Sequence, residues 1–225
     1  MTESPRHVAI IMDGNRRWAK KNNLSIKRGH EEGLKTFKEV VKQAIKEKID
    51  ILTFYAFSTE NWGRPQKQVI DLIALMSNFI KNEADELHQN NIKLKILGDV
   101  SPFPKRLQQS IQNAVEKTKN NTTIILNVAL NYGGRNEIIR AVNKLINEKK
   151  PVTEDSISQV LDTNNLPDPD LIIRTGGAQR LSNFLIWQSS YSEFYFTGIL
   201  WPDYSADEFL KTLDEFADRE RRFGK

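Results

Sequence analysis

The chain of 225 residues carries 33 Lys plus Arg against 29 Asp plus Glu, and its formal net charge of +4 favours anionic partners without the dense basic run of a nucleic-acid-binding tail. This length is typical of one α/β domain with one core, so we expect a single domain over residues 1–225. Without cysteine and with only three scattered histidines, the chain is limited to oxygen ligands for a metal such as Mg²⁺, and because no apolar stretch approaches the ~18 residues of a membrane span we expect a cytoplasmic protein.

Short apolar runs alternate along the chain with longer segments of helical periodicity, which predicts a parallel sheet covered by helices. The predicted strands are residues 7–12, 51–57, 92–97, 123–129, 171–174 and 194–197. The predicted helices are residues 33–48, 66–89, 104–119, 136–147, 153–161 and 206–222. Open parallel sheets bind their ligands at the carboxyl ends of the strands, so the loops that follow the strands are the candidate site.

Four predicted strands are followed by loops that contain Gly, Asn, Ser and Arg, at residues 13–18, 58–65, 131–135 and 174–183. Glycines let backbone N–H groups approach a phosphate, and guanidinium groups match its oxygens, so these loops predict a phosphate site. Asp13 lies beside Arg16 and Arg17, where an unpaired carboxylate would repel that ligand. A divalent cation that joins Asp13 to a diphosphate removes the conflict, and a helix N-cap paired with Arg17 is the structural alternative.

The second predicted strand is followed by further candidate ligands and by a helix, and each also has a purely structural interpretation. Ser58, Asn61 and Arg64 are usable ligands beside Trp62, whose alternative role is to cover the core. The helix predicted at 66–89 has an apolar face wide enough to line a tunnel as well as to pack on the sheet.

Basic and acidic residues elsewhere leave comparable choices open. Arg174 and Arg180 flank a Gly-Gly turn and either converge on one anion or pair with surface acids. Glu193 is either a metal ligand or a salt-bridge carboxylate, and His30 is either a ligand or a helix cap.

Six blocks of this sequence resemble the cis-prenyltransferases: HVAIIMDGNRRWAKK, LTFYAFSTENWGRP, LNYGGRNEI, DLIIRTGGAQRLSNFLIWQSSYSEFYFT, LWPDY and RERRFG. The blocks follow the order of that family and span nearly the whole chain. The resemblance implies an α/β domain with a mainly parallel six-stranded sheet, an apolar tunnel for a growing prenyl chain, and a homodimer. It implies that isopentenyl diphosphate units are added with cis double bonds to farnesyl diphosphate, with Mg²⁺, giving a long polyprenyl diphosphate for the lipid carrier of cell-wall synthesis. Such a product suggests loose contact with the inner membrane surface.

The resemblance also implies roles for individual residues. Asp13 matches the magnesium-binding aspartate, Glu193 a second magnesium carboxylate, and Asn61 the residue assigned as proton acceptor, although a neutral amide is a poor base and its chemistry favours positioning. Residues that match substrate contacts are Gly14, Asn15, Arg16, Arg17, Trp18, His30, Ser58, Thr59, Glu60, Trp62 and Arg64. Residues that match the isopentenyl diphosphate site are Arg174, Arg180, Leu181 and Ser182, and residues 222–224 match a C-terminal motif that reaches the neighbouring subunit.

Three positions depart from the family pattern. Ile26 stands at a substrate-binding position where the family has an arginine, so a neighbour must supply that contact to the allylic diphosphate. Ala178 and Gln68 stand where glutamates are usual. Because Asp13 and Glu193 are retained, we expect these changes to tune affinity or loop closure and not to abolish catalysis.

Two other functions, a non-catalytic partner subunit and a nucleic-acid-binding domain, fit the sequence less well than a prenyltransferase. A non-catalytic partner subunit would be expected to lose the aspartate or the arginines, which are present here. A nucleic-acid-binding domain would need basic and aromatic residues along one groove, whereas here they cluster at strand ends. The small Ala56 would leave a tunnel wall open and Ile124 is the candidate floor, so we expect a long product.

Overall fold

Every strand pair of the central sheet is parallel in the computed structural model, which describes residues 4–219. The strands are β1 (His7–Ile11), β2 (Ile51–Ser58), β3 (Ile92–Leu97), β4 (Ile124–Tyr132), β5 (Leu171–Arg174) and β6 (Glu193–Phe196). Their order is β3-β4-β2-β1-β5-β6, which confirms the predicted six-stranded α/β fold. From β1 the chain passes to β2 and then to the edge strand β3, returns to β4 between β2 and β3, and crosses to β5 and β6 on the other side of β1. The carboxyl ends of β1 and β5 therefore flank the switch point of the sheet, where such folds bind ligands.

Seven helices connect and cover these strands in the described part of the chain. They are α1 (Asn15–Lys21), α2 (Ile26–Lys46), α3 (Gln66–Gln89), α4 (Lys105–Thr118), α5 (Gly134–Asn147), α6 (Glu154–Val160) and α7 (Ala206–Ala217), with short 3-10 helices at Thr59–Gly63 and Trp201–Asp203. The bounds of α3 agree with the sequence prediction. The last helix was predicted to end at residue 222, but α7 ends at Ala217 with Asp218 as its C-cap, so this bound was wrong.

The sequence prediction was wrong at the start of the helical layer, where it missed α1 and began α2 seven residues too late. The serine hydroxyl of Ser25 accepts a hydrogen bond from the Arg28 N–H and caps α2. Gly29 lies inside α2, and a Cβ there would approach the backbone oxygen of Asn15 to 2.3 Å. A glycine that usually weakens a helix is thus required here for the close packing of α1 on α2.

The two faces of the sheet belong to separate hydrophobic clusters. On one face, β1 and β2 contribute Val8, Ile10, Leu52 and Phe54, which pack with residues of α2, α3 and α7. Leu185 and other residues of the 181–185 segment cover part of the opposite face. No helix in the described part of the chain has the length and apolar character needed to cross a membrane.

A buried polar network crosses three neighbouring strands. The His7 ring makes hydrogen bonds through Nδ1 to the Pro167 carbonyl at 2.8 Å and through Nε2 to the Thr53 hydroxyl at 2.7 Å. Asn127 Nδ2 donates to the same hydroxyl at 2.8 Å. Because the Pro167 carbonyl only accepts, Nδ1 carries the proton and Nε2 accepts from Thr53. Burial lowers the pKa of His7 to about 4, so the ring is neutral at pH 7.

Candidate active site

Asp13 lies at the switch point, directly after β1. Its backbone carbonyl accepts hydrogen bonds from the Thr175 hydroxyl at 2.7 Å and from the Trp201 N–H at 3.0 Å. Gly14 follows with a φ of 124°, and a Cβ there would lie 2.9 Å from the backbones of Leu200 and Trp201. The turn therefore requires glycine, and the two hydrogen bonds fix the backbone from which the Asp13 carboxylate projects.

The Asp13 carboxylate lies between two arginines. Its Oδ1 is 3.1 Å from Arg17 Nη2, and its Oδ2 is 3.0 Å from Arg174 Nη2. Arg174 is buried, donates from Nη1 to the Ser182 hydroxyl and to the Arg180 carbonyl, and has no partner for Nε among the described residues. The ion pair of Asp13 with Arg17 is thus present, but the N-cap of α1 is the following glycine. Two cations share one carboxylate, which leaves positive charge for an anion.

A second group of basic side chains faces the same space. Arg16 and Arg64 neither donate a side-chain hydrogen bond nor form an ion pair with a described residue, and both line a cavity with His30. Burial, followed by the positive charges of Arg64 and Arg16, lowers the pKa of His30 to about 4. Burial and then Arg16 also lower the pKa of Arg64, against the opposing effect of Asp13. The nearby Asp13 carboxylate already pairs with Arg17 and Arg174, so positive charge is in excess here, and such an excess is typical of an anion site.

The cavity that holds these groups has a volume of about 1190 Å³ and continues from the strand ends between the sheet, α2 and α3. Beyond the charged end its lining is apolar, with Leu34, Phe37, Ala56, Leu72, Leu75, Met76, Phe79, Ile80, Leu87, Leu94, Ile96, Val128 and Leu130. Leu72 and Ile80 belong to the core cluster as well, so the broad apolar face of α3 both packs and lines the cavity. Ile124, the predicted floor, does not line it. Ile124 pairs with Ile92, whereas the lining residue Leu94 lies two residues further along β3, nearer to the carboxyl edge of the sheet.

A smaller cavity of about 500 Å³ adjoins the first at Asp13, Arg17 and Arg180, which line both. Gly176, Gly177 and Ala178 complete its lining. Gly176 has a φ of 81°, and a Cβ there would come within 2.9 Å of the Asp13 carbonyl oxygen. The two neighbouring cavities therefore share one carboxylate and two guanidinium groups.

The short helix Thr59–Gly63 brings three further polar residues to the larger cavity, namely Ser58, Glu60 and Asn61. The Asn61 Oδ1 accepts a hydrogen bond from the Ser58 N–H at 3.2 Å. One lone pair of this oxygen is thus engaged, and a neutral amide is a poor base, which favours positioning over proton acceptance. Burial opposes ionisation of Glu60, but hydrogen bonds led by that from Asn183 lower the pKa of Glu60.

Four residues predicted to contact substrate do not line either cavity. Trp18 donates its indole N–H to Asp203 at 2.6 Å, and Thr59 donates its hydroxyl to the neighbouring glutamate. Trp62 donates to the Asn131 Oδ1 at 2.8 Å and packs on Phe57 and Phe103, so it covers the core. Leu181 packs against the second hydrophobic cluster.

Glu193 also lies away from this site within one chain. It is the first residue of β6 and pairs with Leu171 at the start of β5, whereas Asp13 follows the far end of the neighbouring strand. Three residues of strand span about 10 Å, and ligands of one Mg²⁺ each lie about 2 Å from the ion. Asp13 and Glu193 of the same chain therefore do not share a metal. Glu193 instead pairs with Arg219 at 3.0 Å.

Sequence reasoning missed several residues of the cavity. Lys20 and Leu24 line it beside the predicted Ile26, and Asn183 lines it next to Ser182. Asn183 follows β5 in the predicted phosphate loop, so its position was the available signal. Lys20 and Leu24 belong to a helix and turn that periodicity alone did not reveal.

The Asp13 carboxylate can hold a metal ion only together with ligands from outside the described residues. No group of three or more His, Asp or Glu side chains suited to a metal occurs among residues 4–219. A cation at Asp13 would take its remaining ligands from substrate phosphate oxygens and water, which is the usual environment of Mg²⁺ in phosphate-binding sites. One accessible carboxylate beside an anion site fits this mode of binding.

Comparisons with known proteins agree with this geometry. A family profile described as "Putative undecaprenyl diphosphate synthase" matches residues 11–224. The chain is 50% identical to an isoprenyl transferase of Clostridium perfringens, with 98% of this chain and 90% of the relative covered. It is 47% identical to a ditrans,polycis-undecaprenyl-diphosphate synthase of Buchnera aphidicola described as (2E,6E)-farnesyl-diphosphate specific, with 99% and 92% covered.

Solved structures give the same result. The crystal structure of lavandulyl diphosphate synthase from Lavandula x intermedia in complex with dimethylallyl diphosphate is similar with a TM-score of 0.94 and 35% identity, over 99% of each chain. That of a probable undecaprenyl diphosphate synthase from Campylobacter jejuni is similar with a TM-score of 0.86 and 37% identity, over 100% of each chain.

Proposed function

The chain belongs to the undecaprenyl diphosphate synthase family of cis-prenyltransferases, and from this premise we propose that it adds isopentenyl diphosphate units to farnesyl diphosphate to make undecaprenyl diphosphate. The activity itself, catalytic prenyl transfer, follows from family membership; the primer, the product and Mg²⁺ are the proposal. One observation carries it: a cluster of arginines around one aspartate opens into an apolar cavity of about 1190 Å³. A charged head and a long hydrocarbon tail are the two parts of a prenyl diphosphate.

The two adjoining cavities suit two diphosphates. Arg16, Arg64 and the neutral His30 line the larger cavity, which also has the apolar lining, so the allylic substrate belongs there. The Gly176–Gly177 turn lines the smaller cavity, and Arg180 lies where the two cavities meet, an arrangement that suits the diphosphate of isopentenyl diphosphate. The lavandulyl diphosphate synthase structure was solved with dimethylallyl diphosphate, another allylic diphosphate.

Breaking the allylic C–O bond places negative charge on the leaving diphosphate. Arg16, Arg17 and Arg64 are already in place and stabilise that charge without reorganisation. Mg²⁺, when bound at Asp13, would neutralise further charge on the leaving group. The double bond of isopentenyl diphosphate forms the new bond to the allylic C1, and a proton leaves the adjacent carbon. Asn61, held by its hydrogen bond from Ser58, orients the substrates, and a diphosphate oxygen receives the proton, because a neutral amide is a poor base.

Three assembly and cellular features are proposals that rest on the family resemblance. They are a homodimer, synthesis of the lipid carrier precursor for cell-wall polysaccharides, and loose association with the inner face of the membrane. The C-terminal motif at residues 222–224 lies outside the described residues.

The primer and product are tested by supplying dimethylallyl, geranyl or farnesyl diphosphate with labelled isopentenyl diphosphate and Mg²⁺, followed by chromatography of the products. We expect farnesyl diphosphate to have the highest kcat/KM and the product ladder to end at undecaprenyl diphosphate. Arg64→Gln should raise KM for farnesyl diphosphate about 10- to 150-fold, since a charge-assisted hydrogen bond contributes about 1.5–3 kcal/mol. Arg135→Gln, which alters an exposed arginine outside both cavities, is the matched control.

Two outcomes contradict the proposal. Equal use of all three primers would remove the primer assignment. No elongation by this chain alone, with elongation restored by a second prenyltransferase subunit, would instead establish the non-catalytic partner.

A further inference from the structure

The segment between Asp13 and Glu31 contains six Lys or Arg residues and no acid. It folds as α1, a short turn and the first turn of α2. Arg16 and Arg17 face the cavities, which leaves Lys20, Lys21, Lys27 and Arg28 around the turn. We call residues 20–28 the basic turn.

Two large apolar side chains are exposed on the basic turn. Leu24 is 44% exposed and Ile26 is 36% exposed. The turn is ordered, because the Leu24 N–H donates to the Ala19 carbonyl at 2.8 Å and Ser25 caps α2. Both apolar side chains also line the rim of the larger cavity. Leu24 and Ile26 therefore give the rim two apolar side chains that are also exposed.

The charges of the basic turn differ in how they are satisfied. Arg28 pairs with Glu31 at 2.7 Å, and Lys27 lies 4.0 Å from the same carboxylate. Lys20 and Lys21 have no hydrogen-bond or ion-pair partner for their ammonium groups in the described part of the chain, and both are exposed. Two unpaired cations thus stand beside two exposed aliphatic side chains.

We propose that the basic turn binds the surface of an anionic lipid bilayer, with Leu24 and Ile26 entering the headgroup boundary and Lys20 and Lys21 contacting lipid phosphates. Exposed aliphatic residues flanked by lysines complement such a surface, which is anionic outside and apolar beneath. An apolar groove on a partner protein would bind Leu24 and Ile26 but would offer no anionic groups to Lys20 and Lys21.

The position of the basic turn gives this contact a use, and here the inference rests on the proposed function. A prenyl chain longer than farnesyl is insoluble in water. Since Lys20, Leu24 and Ile26 line the rim, a bilayer bound at the basic turn lies against the cavity opening. The product then passes from cavity to bilayer with little exposure to water.

The proposal is tested by co-sedimentation of the full, unliganded chain with vesicles of phosphatidylcholine alone or mixed in equal parts with phosphatidylglycerol. We expect binding to the anionic vesicles that weakens as salt is added. Lys21→Gln should weaken it about fivefold, the effect of one basic residue near an anionic surface. Adding Leu24→Ser should weaken it further. The matched controls Lys149→Gln and Val152→Ser alter an exposed lysine and a 47% exposed valine between α5 and α6, and should have no effect.

A second readout does not depend on lost binding. In the Leu24→Trp variant, indole emission should shift to the blue on anionic vesicles and be quenched by brominated lipid, whereas the Val152→Trp variant should show neither. Absence of binding to anionic vesicles, or equal binding by Lys21→Gln/Leu24→Ser and the wild type, overturns the proposal. Because these assays use no substrate, their failure leaves the prenyltransferase activity untouched, and product chromatography tests that activity separately.

Discussion

The Asp13 carboxylate lies between two arginines of the proposed diphosphate site, and its removal should have opposite effects with and without a metal. Asp13→Asn keeps the shape of the side chain and removes its charge. In the present geometry, carboxylate oxygens lie 3.1 Å from Arg17 and 3.0 Å from Arg174, the same guanidinium groups that we assign to diphosphate. A metal-free diphosphate must therefore compete with Asp13 for both arginines. We predict that Asp13→Asn binds metal-free diphosphate more tightly than the wild type.

The magnitude follows from the distances. A phosphate oxygen accepting from the same guanidinium group places its charge about 5 Å from the carboxylate, where repulsion is about 3 kcal/mol at an effective dielectric constant of about 20 and about 1 kcal/mol in water. The Asp13 side chain is 32% exposed, so a value of about 1–2 kcal/mol applies. This corresponds to a dissociation constant about 5- to 30-fold lower for Asp13→Asn.

The assay is isothermal titration of pyrophosphate and of farnesyl diphosphate into each protein, first with EDTA and then with Mg²⁺. Mg²⁺ should tighten binding to the wild type and leave Asp13→Asn unchanged, while turnover of the variant falls at least about 100-fold. Asp71→Asn, on the exposed side of α3, is the control for loss of one negative charge. If Asp13→Asn binds metal-free diphosphate more weakly than the wild type, the assignment of Arg17 and Arg174 to diphosphate is refuted.

Three further predictions follow from particular contacts. Gly29→Ala places a methyl group 2.3 Å from the Asn15 carbonyl oxygen. The cost of overpacking, about 1–3 kcal/mol, should outweigh the gain in helix propensity of about 1 kcal/mol and lower the urea midpoint of unfolding. Gly63→Ala, which has open space around its Cβ, should not lower that midpoint. The pKa of His7 is lowered to about 4 in the folded state, so its contribution of up to about 3 kcal/mol to the free energy of unfolding is present above pH 6.5 and is lost as pH falls towards 4. Urea unfolding should show this fall in stability between pH 6.5 and 4, and His7→Gln should make the fall smaller. Ala56→Phe fills the cavity and should shorten the product ladder without slowing the first addition; an unchanged ladder would contradict the assignment of the cavity to the prenyl chain.

The sheet and the position of the site were predictable because both depend on patterns that recur along the chain. Apolar runs marked all six strands, and Asp13, Ser58 and Arg174 were placed correctly at carboxyl ends. Parallel pairing alone brings such ends together.

The differences between prediction and structure have physical reasons that differ from residue to residue. The helix predicted over 33–48 begins earlier, at Ile26, and the close packing of α1 against Gly29 is visible only in three dimensions. Trp18 and Trp62 carry chemistry that suits both substrate and core, and sequence does not determine which way such side chains face. Glu193 precedes a predicted strand, so strand direction already placed it at the amino edge of the sheet, away from Asp13.

We propose that the arginine cluster around Asp13 stabilises the leaving diphosphate during prenyl transfer, with the aid of Mg²⁺. The most direct measurement is incorporation of labelled isopentenyl diphosphate into product extracted by organic solvent, with farnesyl diphosphate as primer, in Mg²⁺ and in EDTA, for the wild type and for Arg174→Gln. We predict incorporation by the wild type in Mg²⁺ alone and a loss of at least about 100-fold in Arg174→Gln. Incorporation that is equal in EDTA, or unchanged in Arg174→Gln, would contradict the claim.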